Sequence, residues 1–288
     1  MPVNKNSLQK KRGALNRDGA LGPANLGDAL RYGRYCYENF MEEPSAHMVG
    51  TLTAPGGTAL SSCVVDTGRY RFLFATTQDE TDQFFPKLAT GGGYNFVTPT
   101  TPVLSDGTEV NFGSDVLGHP RTYVPSSEEC FARIYLSTDD ASGADIVFGF
   151  KKVAATVASL TEITDMATIR ILGDDSSTSG AFTIVTQANS DGTTDYTSTT
   201  TTVTGLEDAT GVELEVRAKG GKAYFFVNGA QVAGSPSFTF DSGDYVTPFL
   251  RIIQTTDIAN ELKVHAFECG LLEDRTDATL ASMKSSTL

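Results

Sequence analysis

Residues 211 to 232, GVELEVRAKGGKAYFFVNGAQV, restrict the fold more than any other stretch, because they read as two consecutive hairpins around an almost wholly apolar middle strand. Val212, Leu214 and Val216 alternate with Glu213, Glu215 and Arg217, the period of two expected for one buried and one wet strand face. Lys219-Gly220-Gly221 turns the chain. Tyr224, Phe225, Phe226 and Val227 form a β-branched and aromatic run. It ends at Asn228-Gly229, a pair that tolerates the positive φ angles of a type I′ turn. Phe225 and Phe226 are adjacent and must point to opposite faces, so the run implies cover on both.

The same punctuation recurs along the chain. Strands are expected at 46–53, 59–65, 69–76, 130–136, 145–153, 167–172, 181–188, 237–240, 245–254 and 261–272, separated by turn residues and without amphipathic helices between them. Such spacing predicts an all-β, antiparallel β-sandwich, and 288 residues with 40% hydrophobic content can fill its core. The expected organisation is an extended N-terminal arm over 1–44, a sandwich over 45–272 and a tail over 273–288. Within the body, 78–129 reads as a long irregular insertion, with its Gly91-Gly92-Gly93, its TPTTP run and prolines at Pro86, Pro120 and Pro125. The Thr-rich 189–205 reads as an exposed strand.

Charge is distributed unevenly. The chain carries −13 overall, which argues against nucleic-acid binding. Residues 1 to 34 hold Lys5, Lys10, Lys11, Arg12, Arg17, Arg31 and Arg34 against Asp18 and Asp28, a local +5 that leaves −18 for the rest. A basic arm on an acidic body is suited to docking on an acidic neighbour, another copy of the chain included; a solvated tail is the plainer reading. Nothing reaches the ~18 apolar residues of a membrane span, and MPVNKNSLQKKRG has no apolar signal core, so a soluble protein made in a reducing cytoplasm is expected.

Motifs with chemical meaning are sparse. Cys36, Cys63, Cys130 and Cys269 are widely spaced in apolar contexts and read as free buried thiols, apart from His47, His119 and His265, so no zinc site is expected. Asp66-Thr67-Gly68 has the core of an aspartic-protease motif, but Arg69 and the strand after it make it a turn. Glu213 and Glu215 share a strand face, as a glycosidase pair would. Leu214 stands between them where laminarinase-like enzymes have Asp, and a solvated face is expected instead. Asp139, Asp140, Asp145, Asp174, Asp175, Asn189, Asp191 and Asp195 offer hard oxygen atoms to calcium on glycine-bearing loops. Without EF-hand spacing they read as turn formers. The expectation is therefore no catalytic residue, no metal, no cofactor and no enzymatic activity. The missing Trp also weakens a sugar-stacking surface.

The succession IVFGFKKVAAT (146–156), VELEVRAKGGKAYFFVNGAQVAGSPSFTF (212–240) and TPFLRIIQTTDIANELKVHAFECGLL (247–272) resembles virion structural proteins of tailed bacteriophages that carry a concanavalin A-like jelly roll. The resemblance covers about residues 130 to 272. It implies a capsid decoration or cement protein on the capsid exterior, with the major capsid protein as partner and homotrimers at three-fold positions. The basic arm residues would be the anchor. A head-fibre or tail-associated, lectin-like receptor-binding protein is the alternative it implies.

Overall fold

A computed structural model describes residues 36–39, 47–49, 61–66, 71–76, 87–88, 94–97, 107–112, 121–138, 144–154, 160–172, 183–189, 197–201, 211–235, 237–254 and 261–272. They form two antiparallel sheets in a sandwich of jelly-roll type. Sheet A runs β15 (Ala230–Gln231), β14 (Lys222–Val227), β13 (Val212–Lys219), β8 (Cys130–Thr138), β17 (Glu261–Leu271), β6 (Tyr94–Val97) and β5 (Lys87–Leu88), and β1 (Cys36–Asn39) also pairs with β17. Sheet B runs β12 (Thr197–Thr201), β11 (Thr183–Asn189), β10 (Met166–Leu172), β9 (Ala144–Lys152), β16 (Val246–Gln254), β7 (Gly107–Asn111), β4 (Arg71–Thr76), β3 (Ser61–Asp66) and β2 (His47–Val49). Among these residues no helix is long and apolar enough to cross a membrane.

The alternation read from the sequence places the core between the sheets. Ile134, Leu136, Leu214, Val216, Phe225 and Phe267 of sheet A meet Phe148, Phe150, Ile169, Ile171, Leu250 and Ile252 of sheet B in one buried cluster. Both hairpin turns of the meander form as expected: φ is positive at Gly220 and Gly221 and again at Asn228 and Gly229, the backbone of a two-residue type I′ loop. The Asn228 side chain accepts a hydrogen bond from the Glu213 amide, which fixes the second turn to the start of β13.

Pro248 lies inside β16, between β9 and β7, where proline usually argues against a strand. Its carbonyl accepts from Phe112, just beyond the end of β7. The N–H and C=O of one residue point to the same side of a strand, so the missing donor faces β7 past the last ladder pair, and pairing with β9 is kept.

Several expectations are corrected. The span 78–129 is not an irregular insertion throughout, because it supplies β5, β6 and β7, and β7 joins β16 to β4 inside sheet B. Pairing with distant strands decides this, and local composition does not report it. Within the span expected as an arm, 36–39 adds β1 to sheet A. Residues 237–240 contribute one isolated bridge, Lys222 to Thr239, in place of a strand, although Phe238 and Phe240 are buried and stacked edge to face. β12 ends sheet B, as the Thr-rich run predicts for a strand. Asp66 closes β3 opposite Arg71 of β4, as a turn between paired strands requires.

Candidate functional site

The outer face of sheet A, turned away from the core, carries the densest set of chemically capable side chains among the described residues. Glu213 and Glu215 were expected to be solvated there. Both are fully buried, as are Arg133 and Glu268. Strand register explains the arrangement: Arg133 of β8 lies opposite Glu215 of β13 on one side and Glu268 of β17 on the other. Its guanidinium donates to the Glu268 carboxylate. Arg217 reaches back along β13 to Glu215 through two bonds of 2.8 and 3.0 Å and covers the Phe226 ring at 3.9 Å. The Glu215 and Glu268 carboxylates are thus paired with guanidinium groups, the arrangement that lets charge persist out of water.

One row along the same face, Tyr135, Ser137 and His265 come together. The ladder between β8 and β17 slips between Val264 and Ala266, so His265 is the extra residue of a β-bulge. Such a bulge re-aims one side chain. Ser137 Oγ and His265 Nε2 are 2.7 Å apart, and the Tyr135 ring lies tilted against the imidazole at 5.4 Å. Burial, and then the nearby Lys263 charge, lower the His265 pKa below its ordinary value. The imidazole is therefore neutral near pH 7 and can exchange a proton with the serine hydroxyl. A Cβ at Gly211 would overlap the Tyr135 hydroxyl, so the bare glycine backbone makes room for that phenol.

Sheet B has a covered outer face too. A 3-10 turn at Leu160–Glu162 and Ile163 pack on Val147, Met166 and Phe249. Beside them Lys151 pairs with Glu109, and Arg251 lies 3.7 Å from the same carboxylate.

Of the residues singled out in the sequence, the arm residues Lys5, Lys10, Lys11, Arg12, Arg17, Arg31 and Arg34 lie outside the described residues. So do Asp139, Asp140, Asp174, Asp175, Asp191 and Asp195. Asp145 is engaged by Arg170, and Asn189 donates to the Ile163 carbonyl. Cys130 and Cys269 are buried thiols outside any disulfide, as expected. Sequence reading missed Arg133, Ser137, Tyr135, His265 and Glu268. The available signal was in ELKVHAFECGL, where the inward set Leu262, Val264, Phe267, Cys269 skips a beat at His265.

No protein-family model and no curated protein sequence matches the chain. The strand framework is similar to that of family 7 alginate lyases. Alginate lyase A1-II′ aligns at 16% identity with a TM-score of 0.46, over 67% of this chain and 85% of its own. The marine alginate lyase of Zobellia galactanivorans gives 9% identity and 0.40, over 78% and 93%. The binding domain of botulinum neurotoxin DC gives 8% and 0.44, over 83% of this chain and 51% of that one. These likenesses concern the arrangement of strands and transfer no residue role. They do correct one expectation: enzymatic activity was excluded for this chain, yet solved structures of similar framework are polysaccharide lyases, so that exclusion does not stand.

Proposed function

We propose that this chain is a bacteriophage virion structural protein of the capsid-decoration type, held on the major capsid protein at the capsid exterior after synthesis in the host cytoplasm. The observation that carries the reading concerns the surface. Among the described residues Tyr245 is the exposed large hydrophobic, so the strongly acidic body presents no apolar docking patch there. Attachment then falls to the basic residues of 1–34, whose +5 complements an acidic shell, with the sandwich as a rigid body that self-associates, as homotrimers at three-fold positions. The resemblance in 146–156, 212–240 and 247–272 supports the same reading, because those stretches build β9 and β16 in the middle of sheet B and β13, β14, β15 and β17 of sheet A.

Deleting residues 1–34 is the direct test. The truncated protein should stay folded and lose binding to capsids, and binding of the full chain should weaken as salt rises, because screening acts over about 8–10 Å at physiological ionic strength. Unchanged occupancy after truncation contradicts the reading. A second reading, a head-fibre or tail-associated receptor-binding protein, is favoured by a pocket of ≈ 460 Å³ between β14 and the segment after β15, lined by Tyr224, Gln231, Ser235 and Lys222. Particles that lack the protein and keep their heat stability but fail to adsorb to cells support that second reading.

A further inference from the structure

Three neighbouring strands of sheet B bring charged side chains together at one end of the sandwich, carboxylates from two of them and an ammonium from the third. Asp165 immediately precedes β10, Lys152 closes β9, and Asp241 and Asp244 stand just before β16; the sheet order is β10, β9, β16. The Asp241–Asp244 segment is a tight turn in which the Asp244 amide donates to the Asp241 carbonyl, with φ of +90° at Gly243, so both carboxylates fold to one side. One oxygen from each of Asp165, Asp241 and Asp244 lies within 4.8 Å of the others.

A cluster of acids alone is no site, but Asp165 adds an independent observation. It is 1% exposed, and neither of its carboxylate oxygens has a hydrogen-bond partner. Lys152 supplies the neighbouring positive charge, yet its ammonium sits closer to Asp244, at 2.9 Å, than to Asp165, at 3.4 Å, and its side chain is 36% exposed. A buried carboxylate costs free energy unless something satisfies its lone pairs. One ammonium facing three carboxylates leaves two negative charges uncompensated, and Asp241 keeps the cluster open to water.

We propose that Asp165, Asp241 and Asp244 bind a hard divalent cation of the Ca²⁺ type, with Lys152 as a displaceable counter-charge. The all-oxygen donor set fits such an ion, whose flexible shell of 6–8 oxygen atoms is completed by water on the Asp241 side. Zinc is disfavoured, because no nitrogen or sulfur donor belongs to the cluster. Binding swings the Lys152 ammonium into solvent and ties the start of β10 to the start of β16 across the end of β9, so the ion acts as a clip on sheet B.

The test uses the full chain stripped with chelator. Calorimetric titration with CaCl₂ should show one saturable site with a Kd on the order of 0.1–1 mM, the range of weak modular sites. Tb³⁺ should give luminescence sensitised by Tyr245, next to Asp244 in a chain without Trp. D241N, at an exposed position that leaves the fold intact, should weaken Ca²⁺ binding at least ten-fold, and D165N should abolish it. K152M separates a metal site from a simple ion-pair cluster, because removing the competing ammonium should tighten Ca²⁺ binding several-fold. No saturable uptake by the wild type at millimolar Ca²⁺ overturns the proposal. So does D241N that binds as tightly as wild type, or K152M that binds more weakly.

Discussion

Arg133 and Glu268 face each other across β8 and β17 on the outer side of sheet A, and neither side chain is reached by solvent. Charges so placed are costly to separate, because the survivor has no water to turn to. Replacing Arg133 by Leu should therefore cost about 3–5 kcal/mol in urea unfolding. The double variant R133L/E268L should recover most of that loss, since it removes both charges together. If the double variant is no more stable than R133L, the pair is not the unit that matters.

Phe225 and Phe226 separate the two faces of β14. Phe225 lies in the inter-sheet core, and its truncation to Ala should cost about 3–5 kcal/mol. Phe226 is half-buried under the Arg217 guanidinium and should cost about 1–2 kcal/mol, through lost stacking and partial burial. Equal, negligible losses in the denaturation midpoints of the two variants contradict this assignment of faces.

Two glycines should answer to alanine with losses of very different size. At Gly229 no atom lies within 4 Å of an added Cβ, so G229A carries only the penalty of a positive φ, about 1–2 kcal/mol. At Gly149 the new Cβ would stand 2.2 Å from the Ala167 carbonyl oxygen and 2.8 Å from Thr168 Cα, both backbone atoms of the paired strand β10. Neither can swing away as a side chain would. G149A should lose more than about 4 kcal/mol or fail to accumulate as folded protein. Thermal unfolding of the two variants side by side checks the contrast, and similar melting temperatures would argue against the close approach of β9 and β10.

The meander from β13 to β15 was legible because its determinants are local: alternation, two glycine-bearing turns and an aromatic run. β7 was not. Its five residues, GTEVN, look like loop, and they become a strand through ladders to β16 and β4, distant in sequence. The candidate site failed for a different reason. Charges alternating with apolar residues look the same whether their face is wet or covered, so Glu213 and Glu215 gave no sign that Tyr135 and Arg133 stood opposite them. The cation cluster was hidden in the same way. Asp165, Asp241 and Asp244 are far apart in the chain, and only the order of β10, β9 and β16 brings them together.

His265 should leave a mark on the pH dependence of stability. Burial, with Lys263 adding to it, holds its pKa below the 6.5 of an exposed histidine, so the unfolded chain binds a proton more readily than the folded one. Between the two values the unfolded state carries more protons, and stability must rise with pH across that interval. The neutral imidazole, bonded to Ser137, thus contributes fully above about pH 6.5, and the contribution fades as pH falls through the lowered folded value. Carboxylates also titrate on the acid side, but they are common to the wild type and to H265Q and cancel in the difference. Urea midpoints measured at about pH 7.5 and about pH 5.5 should fall further for the wild type than for H265Q. A wild-type midpoint that changes with pH no more than that of H265Q would place the imidazole in contact with water and remove the basis for a neutral His265 beside Ser137.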